Sequence, residues 1–292
     1  MRFGKIMRMG FIGLGNIGLP IAQRIVSMGD QPPMLFDVAA SAYDPLSGKF
    51  DKAQNAAALA QNCELIGICV RNGEDCENVV SGPGGLLEGL SQRKRPDAPF
   101  IAIHSTVPFS LIDRLSHSLA SQGATLIDAA VTGGPWNAEE GQLVVMVGGE
   151  AAAVDSLRPM LDCYCNKIIH AGPLGAGMKL KAANNLVTYA ELLAAVEAVR
   201  LLMTGGVAPE KLIDVMETNG NLTPSMRAYL VSREGATTSE QREKLLAVQS
   251  ALASLAEKDL SVALEFAEMQ EIPAAFTESV KALFRPAVER ID

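Results

Sequence analysis

The most constraining feature lies near the start of the chain, where the apolar run Met9-Gly10-Phe11-Ile12 leads straight into Gly13-Leu14-Gly15-Asn16-Ile17-Gly18. A strand ending in Gly-x-Gly-x-x-Gly and running on into a helix implies a tight turn, close backbone approach and a helix N-terminus aimed at the loop. That helix is expected over Asn16–Met28, with Gly29 at the C′ position in the left-handed conformation glycine takes easily. The next strand, Met34–Asp37, ends on an acid nineteen positions after Gly18, close to the ~20 at which a carboxylate meets an adenosine ribose. Gly13, Leu14, Gly15, Asn16, Ile17, Gly18 and Asp37 therefore read as a dinucleotide site. A carboxylate at 37 repels a 2′-phosphate and Val38-Ala39-Ala40-Ser41 brings no arginine to hold one, so NAD is expected over NADP.

Further β-type runs follow at Leu65–Val70, Phe100–His104, Thr125–Asp128, Leu143–Val147 and Lys167–His170, with helical stretches between them. Such alternation predicts a parallel sheet covered by helices. From Gly175 onward the β-type runs stop. Lys181–Met203 is apolar at helical spacing around most of its circumference, which predicts a central helix buried on several sides. Helices over Pro209–Glu217, Pro224–Val231, Ser239–Met269 and Pro273–Arg290 follow, with Pro209, Pro224 and Pro273 suited to first-turn positions. The expected fold is an α/β Rossmann-type N-terminal domain, residues 1–172, and an all-α C-terminal substrate and dimerisation domain, residues 173–292, joined by that long central helix.

Charge and composition narrow the partners. With a net charge of −8 and no basic stripe, the chain lacks what a nucleic acid would need to bind. No apolar run approaches the ~18 residues of a membrane span, and no signal peptide is expected. Five cysteines, an odd number, suit a reduced, cytoplasmic protein. Cys163-x-Cys165 has no histidine at ligand spacing, so no metal is expected. His104, His117 and His170 are scattered and read as packing or surface residues.

Chemistry is suggested by Gly175-Ala176-Gly177-Met178-Lys179-Leu180-Lys181-Ala182-Ala183-Asn184-Asn185. Residues four apart share a helix face, so the Lys181 amine and Asn185 amide can reach one substrate. Lys179, two residues away, points elsewhere. With the glycine turn and Asp128-Ala129-Ala130-Val131-Thr132-Gly133-Gly134, these residues resemble the β-hydroxyacid dehydrogenase family, of which 3-hydroxyisobutyrate dehydrogenases are the best-known class. The resemblance runs nearly end to end. Its Gly-x-x-Gly-x-Gly-x-x-x-Lys-x-x-x-Asn pattern falls on Gly172, Gly175, Gly177, Lys181 and Asn185. It implies that Lys181 is the general acid/base and that Thr132, Gly133, Gly134 and Asn185 bind substrate, with the carboxylate on the first three. It further implies cofactor contacts at Val70, Arg71, Thr106 and Lys258.

The chain departs from the family pattern at Ala130, where proline is usual, at Thr132, where serine is usual, and at Val70-Arg71, where Leu-Pro is usual. Asn219, Asn221, Met226 and Arg227 are expected to decide the substrate, a short 3-hydroxy acid or its semialdehyde. A free lysine titrates near ~10.4, so Lys181 needs burial or a nearby positive charge to act as a base near neutrality. Two other readings remain open: an NADP-dependent imine reductase on the same scaffold, and a dinucleotide-binding module without catalysis. Self-association as a homodimer or homotetramer is expected from the apolar central and final helices.

Overall fold

A computed structural model describes residues 7–234 and 238–290. The chain divides into two compact units, Met1–Lys181 and Ala182–Asp292.

The first unit opens with β1 (Met9–Ile12), α1 (Gly18–Met28), β2 (Met34–Phe36), a 3-10 turn at Ala40–Tyr43, β3 (Asp51–Lys52), α2 (Ala56–Asn62) and β4 (Leu65–Ile68). It continues with α3 (Gly73–Ser81), α4 (Leu86–Ser91), β5 (Phe100–Ile103), α5 (Phe109–Ala120), β6 (Thr125–Thr132), α6 (Gly134–Glu139), β7 (Leu143–Gly148), α7 (Ala151–Leu161) and β8 (Cys165–Gly172). The eight strands form one sheet in the order β3-β2-β1-β4-β5-β6-β7-β8. Phe11, Leu35, Ala102, Ile127 and Ala129 share one core with α1 and α7 residues such as Ile21, Ile25, Leu157 and Met160. Ile12, Ile66, Ile68, Ile101 and Ile103 are also fully or almost fully buried but lie outside that cluster. Side chains alternate along a strand, so the sheet is covered on both faces, as its near-continuous apolar strands require.

The sheet is not parallel throughout. β6 and β7 are antiparallel, while β7 and β8 are parallel to each other. The cause is the short link after β6: its one helix, α6, has six residues and spans about 9 Å, against about 26 Å for the eight-residue strand. The chain cannot return to the strand's starting edge, so β7 runs back alongside it. Gly29 also departs from expectation. At φ −70° and ψ 142° it ends α1 in extended backbone, and it is glycine because a Cβ there would sit 2.8 Å from the Ile25 carbonyl oxygen.

The helix that begins at Ala176, α8, runs to Thr204 and carries the division between the units within its length. Beyond it come α9 (Glu210–Asn219), α10 (Pro224–Glu234), α11 (Ser239–Met269) and α12 (Ala275–Val288). Pro209 caps α9 and Pro224 opens α10, whereas Pro273 lies outside α12. Thr238 and Gln241 form a reciprocal capping box that starts α11. The helical unit has its own core, in which Tyr189, Leu193 and Val196 of α8 meet Leu230, Ala256, Leu260, Val280 and Phe284. Burial of α8 is less complete than its sequence predicts: Val187 and Leu201, two heptads apart on one face, are 56% and 74% exposed. No helix among the described residues is long and apolar enough to cross a membrane.

Candidate active site

The glycine loop is shaped by two contacts that a side chain would destroy. Gly13 sits at φ +92°, where a Cβ would lie 2.2 Å from the Cys69 carbonyl oxygen, and a Cβ on Gly18 would lie 2.0 Å from the Gly13 oxygen. Gly15 differs, because a Cβ there would meet nothing within 4 Å. Its bare side is open beside the start of α1, so the loop fits a group such as a pyrophosphate that needs to approach backbone amides. Asp37 closes the loop: its carboxylate accepts from the Leu14 amide at 2.7 Å and from the Ala39 amide at 2.8 Å. The Tyr43 hydroxyl accepts from the Asp37 amide at 2.8 Å. Asp37 thus has a structural role that its spacing from Gly18 did not reveal, and a carboxylate keeps lone pairs for a ribose hydroxyl.

β1, β4, β5 and β6 are adjacent and mutually parallel, so the segments leaving their C-terminal ends emerge on the same edge of the sheet. That edge gathers the glycine loop, Val70-Arg71, Ser105-Thr106 and Thr132-Gly133-Gly134. Ser105 fastens two of these segments together, its Oγ accepting from the Val70 amide and donating to the Val70 carbonyl, both at 2.8 Å. Thr106 beside it is buried. The Arg71 side chain turns outward into an ion pair with Asp75, which raises the guanidinium pKa through their hydrogen bond. At the end of β6, Gly133 and Gly134 have φ of +130° and +74°, and the Asn137 side-chain amide donates to the Gly133 carbonyl at 2.8 Å. A Cβ on Gly134 would meet nothing within 4 Å, so the backbone there is open to an anion, whereas one on Gly133 would meet Asn137 Cβ at 3.0 Å. Trp136, just beyond, is exposed.

The helix bearing Lys181 is pinned to the sheet by an acid in the middle of β6. Asp128 is completely buried, and its two carboxylate oxygens accept from the Gly175 and Met178 amides, both at 2.6 Å. These N–H groups belong to the first turn of α8, whose donors have no partner within the helix. Burial pushes the Asp128 carboxyl up to about 6, against the lowering effect of the amide hydrogen bonds. Close approach requires glycine here too: a Cβ on Gly177 would lie 2.4 Å from the Met146 carbonyl oxygen and 2.9 Å from Asp128 Oδ2. Lys181 is half-buried on this helix, whereas Lys179 is exposed. His104 is a core residue, its Nδ1 2.6 Å from the Ala129 carbonyl oxygen and its Nε2 3.0 Å from the Tyr164 hydroxyl. Burial lowers its pKa to about 4, which keeps the ring neutral.

A second buried acid organises the helical unit. Asn185 Nδ2 donates to Asp259 Oδ2 at 2.7 Å, the Tyr189 hydroxyl donates to the same oxygen at 2.9 Å, and Lys258 Nζ lies 2.8 Å from Asp259 Oδ1. Asn185, Tyr189 and Asp259 are all buried. Burial, chiefly, pushes the Tyr189 phenol far above its ordinary value, so it stays protonated and donates. Sequence reading singled out Asn185 and Lys258 but missed Asp128, Tyr189 and Asp259. A lone acid inside the apolar run Leu126–Val131 is the signal that could have found the first. Met226 lies in a small cluster with Ala195 and Met216, and Arg227 pairs with Glu217.

Comparison with known proteins agrees with this geometry. Residues 8–172 match the NAD binding domain of 6-phosphogluconate dehydrogenase. Residues 175–291 match the family described as NAD-binding of NADP-dependent 3-hydroxyisobutyrate dehydrogenase. An uncharacterised oxidoreductase of Mycobacterium tuberculosis is 32% identical over 91% of this chain and 88% of its own length. The 3-sulfolactaldehyde reductase of Escherichia coli is 29% identical over 95% of this chain and 89% of its own. Among solved structures, the Mycobacterium tuberculosis 3-hydroxyisobutyrate dehydrogenase with L-serine superposes with a TM-score of 0.77 at 22% identity, covering 98% of this chain and 96% of that one.

Proposed function

Because the chain belongs to the β-hydroxyacid dehydrogenase family, which includes the 6-phosphogluconate and 3-hydroxyisobutyrate dehydrogenases, and is thus an NAD(P)-dependent oxidoreductase acting on CH–OH, we propose that it oxidises a short 3-hydroxy acid, or reduces its semialdehyde, with NAD and with Lys181 as general acid/base. The observation that carries this reading is Lys181 itself, half-buried on a helix whose first turn is fixed to β6 by Asp128. The start of that helix, as far as Lys181, lies in one unit with the glycine loop and with Gly133-Gly134.

A dinucleotide held at the glycine loop would supply the redox chemistry, as hydride acceptor in oxidation and hydride donor in reduction. The residues of the chain do the rest. Gly13 to Gly18 receive the pyrophosphate, and Asp37 receives the ribose and disfavours a 2′-phosphate. Val70, Arg71 and Thr106, at the sheet edge, line the remainder of the cofactor site. Thr132, Gly133 and Gly134 hold the substrate carboxylate through the hydroxyl and two backbone amides. As the carbinol carbon gives up its hydride, the neutral Lys181 amine takes the hydroxyl proton and becomes an ammonium; in reduction the ammonium returns that proton to the carbonyl oxygen. Asn185 assists beside it.

The proposal extends to a homo-oligomer of cytoplasmic location. Exposed apolar residues spaced by one or two heptads on three helices, Val187 and Leu201, Val248 and Leu255, and Phe276 and Leu283, support self-association. The substrate reading is tested by mixing the protein with NAD or NADP and a panel of 3-hydroxy acids while following reduced-nicotinamide absorbance. Lys181→Ala is expected to keep dinucleotide binding and to lose turnover by about 10²–10⁴-fold. Undiminished turnover would remove Lys181 from the chemistry, and imine reduction with NADPH but no hydroxy-acid oxidation would overturn the substrate class.

A further inference from the structure

We infer that Asp259 is a positioning residue that locks the Asn185 amide in one orientation, so that Asn185 presents its carbonyl oxygen to the reaction as a hydrogen-bond acceptor. This rests on the dehydrogenase reading above and says what one of its residues can and cannot do.

The orientation is forced by chemistry. An ionised carboxylate only accepts, so the Asn185 atom 2.7 Å from Asp259 Oδ2 has to be the NH₂ nitrogen. Two other donors, the Tyr189 hydroxyl and Lys258 Nζ, converge on the same carboxylate. Turning the Asn185 amide over would set its oxygen against Asp259 and leave a buried carboxylate short of a donor, which is strongly disfavoured. Tyr189, one turn after Asn185 on α8, shares the same Asp259 oxygen, which places Asp259 over the turn that follows Asn185. The Asn185 oxygen lies on the other branch of the amide. It receives a long bond of 3.3 Å from Asn184 Nδ2 and keeps a second lone pair. Asn185 can thus steady an ammonium or a substrate hydroxyl through its oxygen, while one of its two N–H donors is held by Asp259.

The test exchanges the two groups in the full-length chain. Asp259→Ala frees the amide and is expected to lower kcat at least about tenfold. Asn185→Asp sets two carboxylates against each other and is expected to be at least as impaired. In the double variant Asn185→Asp with Asp259→Asn, the nitrogen at 259 donates to the acid at 185, which still offers an oxygen, so at least about tenfold of the lost kcat should return relative to Asn185→Asp alone. No recovery would overturn the acceptor role, because the acid at 185 has no proton to donate. A fully active Asp259→Ala would overturn the positioning role, and if that variant fails to fold, the isosteric Asp259→Asn alongside the double exchange decides it. A parent protein inert on every hydroxy acid, or a fully active Lys181→Ala, would instead overturn the dehydrogenase reading.

Discussion

Asp128 and Asp259 are both buried acids fastened to the same long helix, yet they hold it in different ways. Asp128, on a strand of the α/β unit, grips backbone: its oxygens take the Gly175 and Met178 amides at the helix start. Asp259, on α11 of the helical unit, grips side chains, taking the Asn185 amide and the Tyr189 hydroxyl. The first fixes where the helix begins and so where Lys181 stands. The second fixes which atom of Asn185 is presented. Position and orientation of the two polar groups are therefore set by separate units of the protein, and losing either acid should leave a distinguishable mark.

The largest effect is expected from Asp128→Ala, which strips two amides of their acceptor at a buried helix start. A stability loss of about 3 kcal/mol should appear in urea unfolding, together with reduced kcat, because the backbone under Lys181 is released. An equal stability loss in Asp259→Ala, with kcat preserved, would erase the contrast between the two acids.

Acid titration sharpens the comparison. The Asp128 carboxyl is raised to about 6, so between about pH 4 and 6 the native state keeps a proton that the unfolded chain has released. Its contribution is present below about pH 4 and is lost as pH rises through 6. His104, lowered to about 4, does the reverse: its contribution is present above about pH 6.5 and lost as pH falls toward 4. Each displacement is worth about 3 kcal/mol, and in the parent protein the two slopes oppose. Relative to the parent, His104→Gln should lose stability as pH rises from 4 to 6, and Asp128→Asn should gain it. Unfolding midpoints measured across that range would check both, and parallel profiles would refute the assignment.

Gly177→Ala probes the same anchor from the helix side. Its Cβ would press on the Met146 carbonyl oxygen at 2.4 Å, so a loss of about 2 kcal/mol is expected in the unfolding free energy. Tyr189→Phe should have the smallest effect, about 1 kcal/mol, because Asp259 keeps its bonds to Asn185 and Lys258. A thermal melt would show it, and a larger drop would mean that Tyr189, not Asn185, is the chief partner of Asp259.

Much of the architecture could be read from residue order. The glycine loop announced itself because a turn with φ +92° at Gly13 and backbone contact at Gly18 admits no other residue type. The span Ser239–Met269 matched its expected helix because cap and periodicity agree there. Reversal of β7 escaped notice because a strand's direction is set by the length of its connection, which apolar alternation does not report. The incomplete burial of α8 escaped for a related reason: apolar content says that a face can be covered, not what covers it.

By itself, the sequence determined a dinucleotide-type glycine loop, the change from strands to helices near Gly175, and the four-residue spacing of Lys181 and Asn185, all of which are local properties of a few neighbouring residues. Only the tertiary structure decided that Asp128, 50 positions before Met178, would cap the helix, and that Asp259, 74 positions after Asn185, would turn its amide. Each is a bond between groups far apart in the chain, made strong by burial, and burial exists only once the fold has closed around them.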